Sequence, residues 1–124
     1  MRNTAAAGVV AELLRASPTP LSLRELHQLV CARLPRTAFS TTFRVVGRLE
    51  DERQVHRVDW RERGSRFEWA GRPHHHHLVC GECGHTVDID DRDLGFDERR
   101  IESRTGFRVD HHSIELEGTC PDCR

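Results

Sequence analysis

Val9, Val10, Leu13 and Leu14 form an apolar stripe at helical spacing behind a Thr4 able to cap it, and Ser17-Pro18-Thr19-Pro20 ends the run. A second stripe, Leu23, Leu26, Leu29 and Val30, begins behind Ser22-x-x-Glu25, the spacing of a capping box, and stops at Pro35. Phe39, Phe43, Val46 and Leu49 fall at i, i+4, i+7 and i+10 and predict a third helix, with Ser40, Thr41, Arg44 and Arg48 on its polar face. Val55–Trp60 and Arg66–Trp69 then flank Glu62-Arg63-Gly64-Ser65, which reads as a hairpin with a Gly-containing turn. Three helices followed by a hairpin is the winged helix-turn-helix layout, which places its third helix in the major groove of DNA. A small α/β core whose third helix is merely exposed is the alternative.

Past Arg72 the pattern changes. His77–Cys80 and Thr86–Asp90 predict short strands, Leu94–Thr105 a helix ended by Gly106 in the left-handed conformation, and Phe107–Glu117 a long strand. The chain is thus expected to be α+β, with an N-terminal winged helix-turn-helix DNA-binding domain over residues 1–72 and a small α/β metal-binding domain over 73–124. Only 36% of residues are hydrophobic, so a unit of the second one's size is marginal on burial alone and calls for a structural metal. No run approaches the roughly eighteen apolar residues of a membrane span, and no apolar signal segment follows Met1, so the expected compartment is the cytoplasm.

Charge separates the same two blocks. Residues 1–72 hold 13 Arg against 8 acids, a balance of +5, whereas residues 73–124 hold 6 Arg against 12 acids, a balance of −6. All 19 basic residues are Arg, a side chain whose planar fork suits phosphate and guanine, although codon bias would give the same count. The basic half tips the winged-helix reading toward DNA.

Cys80-x2-Cys83 and Cys120-x2-Cys123 are knuckle-type pairs. Each presents two thiolates from one tight turn, with Gly81, Gly84 and Pro121 supplying the turn chemistry, and two such turns complete the tetrahedral sulfur shell of zinc. Two disulfides are the rival reading, and the lack of an export signal argues against it. Cys31 lies in an apolar helical run and reads as core. Directly before the first knuckle runs His74-His75-His76-His77. In an extended segment alternate side chains point to opposite faces, so His75 and His77 share one side and His74 and His76 the other. Two separate metal sites become possible. An expression tag or a solvated turn are the plainer readings of such a run, but this one is internal and leads into a strand.

The motifs together resemble the ferric uptake regulator family of metal-sensing repressors. The likeness rests on His74-His-His-His-Leu-Val-Cys80-x-x-Cys83-Gly84, Gly106-Phe107, His112-x-x-Glu115-Leu116 and Gly118-x-Cys120-x-x-Cys123. Ser40-Thr41-Thr42-Phe43-Arg44 is similar to the family's recognition segment, with Phe43 where a Tyr is usual. The resemblance implies a homodimer that binds a pseudo-palindromic double-stranded operator when metal is bound. Its C-terminal domain would dimerise, and Ser40, Thr41, Thr42, Phe43, Arg44 and Arg48 would face DNA.

The same resemblance implies a structural zinc on Cys80, Cys83, Cys120 and Cys123, and a sensing site of Glu68, His75, His77 and Asp88. Where the family often adds a His from helix two, this chain has Pro20, and His56 is the candidate to fill the gap. A third site would join His74 and His76 to His112; the family's helix acid there falls on Gly95, leaving Asp93 as the substitute. Imidazole and carboxylate ligands suit Fe2+ or Mn2+, with Zn2+ next. A zinc-uptake regulator of the same family and a zinc-ribbon interaction module without sensing remain the alternatives. A metallohydrolase is disfavoured because no His-Glu-x-x-His or deaminase pattern is present.

Overall fold

The computed structural model describes residues 4–60 and 63–124, which divide into two compact units, Met1–Arg72 and Pro73–Arg124. In the first, Thr4 is the opening residue of α1 (Thr4–Ala16) rather than a cap before it. The capping box at Ser22 is formed in full. The Glu25 amide donates to Ser22 Oγ at 3.1 Å, the Ser22 amide donates to Glu25 Oε1 at 2.9 Å, and α2 (Leu23–Arg33) follows. A cap of this kind stabilises a helix by about 1 kcal/mol.

The third helix, α3 (Phe39–Asp51), is rotated relative to the expected stripe. Thr41, Thr42, Val45, Val46 and Leu49 are its buried residues, while Phe39 and Phe43 are 48% and 57% exposed. A buried threonine hydroxyl needs a partner, and Thr42 Oγ1 has one in His27 Nδ1 of α2, 2.8 Å away. With that polar group satisfied, the two valines and Leu49 turn inward and the phenylalanines turn out. Cys31 is half-buried, not core, its Sγ 3.3 Å from His27 Nε2.

β1 (Val55–Trp60) and β2 (Gly64–Trp69) pair antiparallel from Val55↔Trp69 to Trp60↔Gly64. Gly64 sits at φ +72°, where a side chain would be strained; Glu62 of the expected turn lies outside the described residues. Leu21 exchanges both backbone bonds with Phe67, at 2.9 and 2.8 Å, and so adds a one-residue third strand. Val10, Leu14, Leu26, Val30, Val46 and Phe67 form the heart of the core beneath. The unit is a winged helix-turn-helix.

The second unit holds β3 (His76–Cys80), β4 (Thr86–Ile89), α4 (Asp91–Leu94), α5 (Glu98–Thr105) and β5 (Glu115–Gly118), with strand order β4-β3-β5. The single helix expected over Leu94–Thr105 is broken. Gly95 at φ +63° closes α4 in the left-handed conformation, and Asp97 caps α5 by accepting the Arg99 amide at 3.0 Å. The long strand expected from Phe107 shrinks to Glu115–Gly118, because its ladder with β3 starts only at His77↔Glu115. Gly106 caps α5 at φ +79° as expected.

Hydrophobic burial is slight in this unit. Among the described residues only Val79 and Cys80 are buried apolar groups, beside the buried His76 and His77. One valine contributes about 2 kcal/mol, whereas ordering each residue costs about 1 kcal/mol or more. Val87, Leu78 and Leu116 line up across the three strands, and Val87, Leu116 and Phe107 are exposed. No helix among the described residues is long and apolar enough to cross a membrane.

Candidate functional site

The four knuckle cysteines converge. Their sulfurs all lie within 4.8 Å of one another, and Cys83 Sγ stands 3.7 Å from Cys120 Sγ. Zinc with Zn–S bonds of about 2.3 Å sets sulfurs about 3.8 Å apart in a tetrahedron, so the cluster fits that ion. Its turns explain the convergence: the Gly84 amide returns to Cys80 O at 2.9 Å and the Cys123 amide to Cys120 O at 3.0 Å. The Cys83 and Cys120 amides aim at Cys80 Sγ from 3.5 and 3.4 Å. These donors favour the thiolate and hold the Cys80 thiol down at about 6. Cys123 is pushed up to about 12, first by its hydrogen bond with Cys120 and then by its contacts with Cys83 and Cys80. Four thiolates this close need a cation between them.

Strand alternation splits the histidine run as the sequence predicts. On one face the Nε2 atoms of His75 and His77 are 3.2 Å apart, close to the roughly 3.3 Å that separates two imidazole nitrogens on a tetrahedral ion. The His75 ring is oriented from behind, its Nδ1 donating to Pro73 O at 2.7 Å, and His77 Nδ1 lies 3.6 Å from Glu115 Oε2. Asp88 is placed opposite His77 in the β3–β4 register. In the first unit Glu68 is buried and ion-paired with Arg72 at 2.7 Å, and the hairpin register sets His56 opposite it. Neither His56 nor Asp88 brings a ligand atom into a chelating cluster among the described residues.

On the other face His74, His76 and His112 gather around Asp91. His112 Nε2 is 2.8 Å and His76 Nε2 2.6 Å from Asp91 Oδ1, and His74 Nε2 is 3.3 Å from His112 Nε2. These contacts, His112 first, hold the Asp91 carboxyl well below the usual carboxylate range, and the same carboxylate raises His112. Phe96 stacks on the His112 ring at 4.4 Å. Asp93, the expected acid, is not there: its carboxylate accepts the Asp90 amide at 3.0 Å as the return half of the α4 capping box. Asp91 stands in its place. Asp90-x-x-Asp93 has capping-box spacing, a signal in the sequence that would have assigned Asp93 to the helix end and left Asp91 for the cluster.

The rotation of α3 also sorts the residues expected to meet DNA. Ser40, Phe43, Arg44 and Arg48 are exposed on one face, with Phe39 beside them. Thr41 and Thr42 are buried, 9% and 0% exposed, and Thr42 is bonded to His27.

A winged helix presenting arginines on its third helix, followed by a small α/β unit with convergent cysteine and histidine clusters, defines a metal-responsive transcription regulator. The chain belongs to the ferric uptake regulator family, whose model matches residues 1–117. Members of that family are regulators rather than enzymes. The ferric uptake regulation protein of Klebsiella pneumoniae is 31% identical over 106 residues, 84% of this chain and 68% of the relative. The peroxide-responsive repressor PerR of Staphylococcus saprophyticus is 27% identical over 124 residues, 100% of this chain and 83% of the relative. In fold, the chain is similar to the Helicobacter pylori ferric uptake regulator Fur, a structure that reveals three functional metal binding sites. The TM-score is 0.89 at 23% identity, over 99% of this chain and 82% of that one.

Proposed function

We propose that this chain is a cytoplasmic homodimeric repressor whose affinity for a pseudo-palindromic DNA operator rises when Fe2+ or Mn2+ binds a sensing centre, with zinc held structurally by Cys80, Cys83, Cys120 and Cys123. The observation that carries the sensing role is the His75 and His77 pair, with Nε2 atoms at chelating separation and His75 Nδ1 hydrogen-bonded to Pro73 O. The family resemblance assigns Glu68 and Asp88 as the carboxylates of this centre and His56 as its reserve imidazole. A bound divalent ion supplies positive charge and fixed ligand directions. The chain's part is to present the ligands: strand alternation aims the two imidazoles one way, and burial of His77 denies it other conformations. Metal held there would favour the arrangement in which two α3 helices meet two half-sites.

Two further observations support the reading. The exposed row of Val87 and Leu116 beside Leu78 is apolar surface of the kind a second copy covers. The donor set of the sensing centre contains imidazole and carboxylate but no thiolate, which suits Fe2+ and Mn2+ ahead of zinc. Zinc sensing is the second reading, because His75 and His77 stand at a tetrahedral spacing. The deciding experiment titrates Fe2+ under anaerobic conditions, Mn2+ and Zn2+ against one operator at fixed salt. Tight binding that ignores all three metals would leave a zinc-ribbon module instead.

Arg44 tests the interface. Arg44→Ala should weaken operator binding by about 1–3 kcal/mol in a salt-controlled assay while leaving metal content unchanged. Unaltered affinity would show that α3 does not read the groove.

A further inference from the structure

His27 lies on α2, away from the metal-ligating clusters, and its contacts run to α3 and the segment that leads into it. Its Nδ1 is 2.8 Å from Thr42 Oγ1, a bond that either tautomer of the ring can form with a hydroxyl. Its Nε2 is 3.3 Å from Cys31 Sγ, and that sulfur lies 3.7 Å from Thr37 O, two residues before α3. Its ring also meets Phe39, the first residue of α3, with centroids 5.2 Å apart and planes at 81°. That separation and angle are those of an edge-to-face aromatic pair.

These contacts fix both the roll of α3 and the direction of one ring on it. Thr42 is wholly buried and β-branched, with little rotamer freedom, so its bond to His27 sets which face of the helix turns inward. The face turned outward carries Ser40, Phe43, Arg44 and Arg48, with Phe39 at its N-terminal edge and 48% exposed. The N-terminal residues of a recognition helix are those that reach base edges in the major groove. An exposed apolar ring at that end has a natural counterpart there, the C5-methyl group of thymine. A ring already held by His27 loses less freedom on making that contact than one free to swing.

From this we infer that Phe39 is a further base-reading residue, taking a thymine methyl in each half-site, and that His27 is the positioning residue that holds its ring and the roll of α3. The inference rests on the reading of α3 as the DNA-binding helix and deepens it. Phe39 offers phosphate neither charge nor a hydrogen bond, so the pair adds discrimination between sequences rather than attraction to any duplex.

The test uses the full-length, metal-loaded protein and a duplex that the unmutated chain selects from a random-sequence pool. Each thymine is replaced in turn by deoxyuridine, which lacks only the methyl group. At one position per half-site the replacement should weaken binding about fourfold, the worth of one buried methyl. Phe39→Ala should show no penalty at that position, with the penalties elsewhere and the salt dependence of binding unchanged. His27→Ala should erase the same penalty. So should His27→Asn, which keeps an amide to bond Thr42 but has no ring for Phe39; circular dichroism melting reads whether each variant folds. A penalty retained in Phe39→Ala or in either folded His27 variant overturns the proposal. If the unmutated chain binds its selected duplex and no deoxyuridine weakens it, the inference falls and the regulator reading stands. If the metal-loaded chain selects no duplex at all, the regulator reading falls and takes the inference with it. Phe39 is half-exposed, so the deoxyuridine series on the unmutated chain and on Phe39→Ala decides the matter even where a His27 variant does not fold.

Discussion

Cys80→Ser should strip zinc from the chain and unfold Pro73–Arg124, while the winged helix keeps its helical signal. Cys80 ends β3, is 3% exposed, and receives the amides of Cys83 and Cys120 on its sulfur. A serine there offers a shorter, un-ionised oxygen that cannot complete the shell. Structural zinc in comparable small sites contributes about 10–16 kcal/mol of apparent binding free energy, as much as the whole stability of an ordinary domain. With Val79 the only other buried apolar residue described in this unit, no core remains to hold it. The first unit has its own core, centred on Val10, Leu26 and Val30. Zinc content by atomic emission and thermal melting followed by circular dichroism read the effect. Unchanged metal stoichiometry and an unchanged melt would dismiss the structural role.

The second large effect belongs to the sensing face. In His77→Ala the zinc and the fold should persist, and the metal-dependent gain in operator affinity should vanish, a loss of between about 5- and 150-fold for an allosteric coupling of ordinary size. Affinity measured without added metal should match the unmutated chain, which separates lost sensing from damage to DNA binding. Because His77 is buried, His75→Ala, at a half-buried ring whose Nε2 lies 3.2 Å away, serves as the milder companion. A normal metal response in both variants would remove this pair from the sensing centre. Fluorescence anisotropy on a labelled operator gives both numbers in one titration.

Local signals in the sequence are dependable where one segment decides its own structure. The capping box at Ser22, the stop before Pro35 and the left-handed cap at Gly106 depend on neighbours a few residues away. Periodicity is less reliable on α3. Phe39, Phe43, Val46 and Leu49 make a credible stripe, yet Thr42 is the residue inside, because His27 on another helix satisfies its hydroxyl. Gly95 shows the same limit from the other side: its helix-breaking conformation goes with a cap at Asp97, and only the pair of them ends α4 and starts α5.

The sequence by itself determined that each knuckle would present two thiolates from one turn and that the histidine run would split into two faces. Turn geometry and strand alternation are properties of contiguous residues and hold wherever the segment lies. Tertiary structure alone decided which carboxylate faces His112, Asp91 rather than Asp93, and which backbone amide meets His76 Nδ1. Those depend on α4 and on Ile114, 15 and 38 residues away along the chain, whose approach to the ring is set by packing and not by spacing.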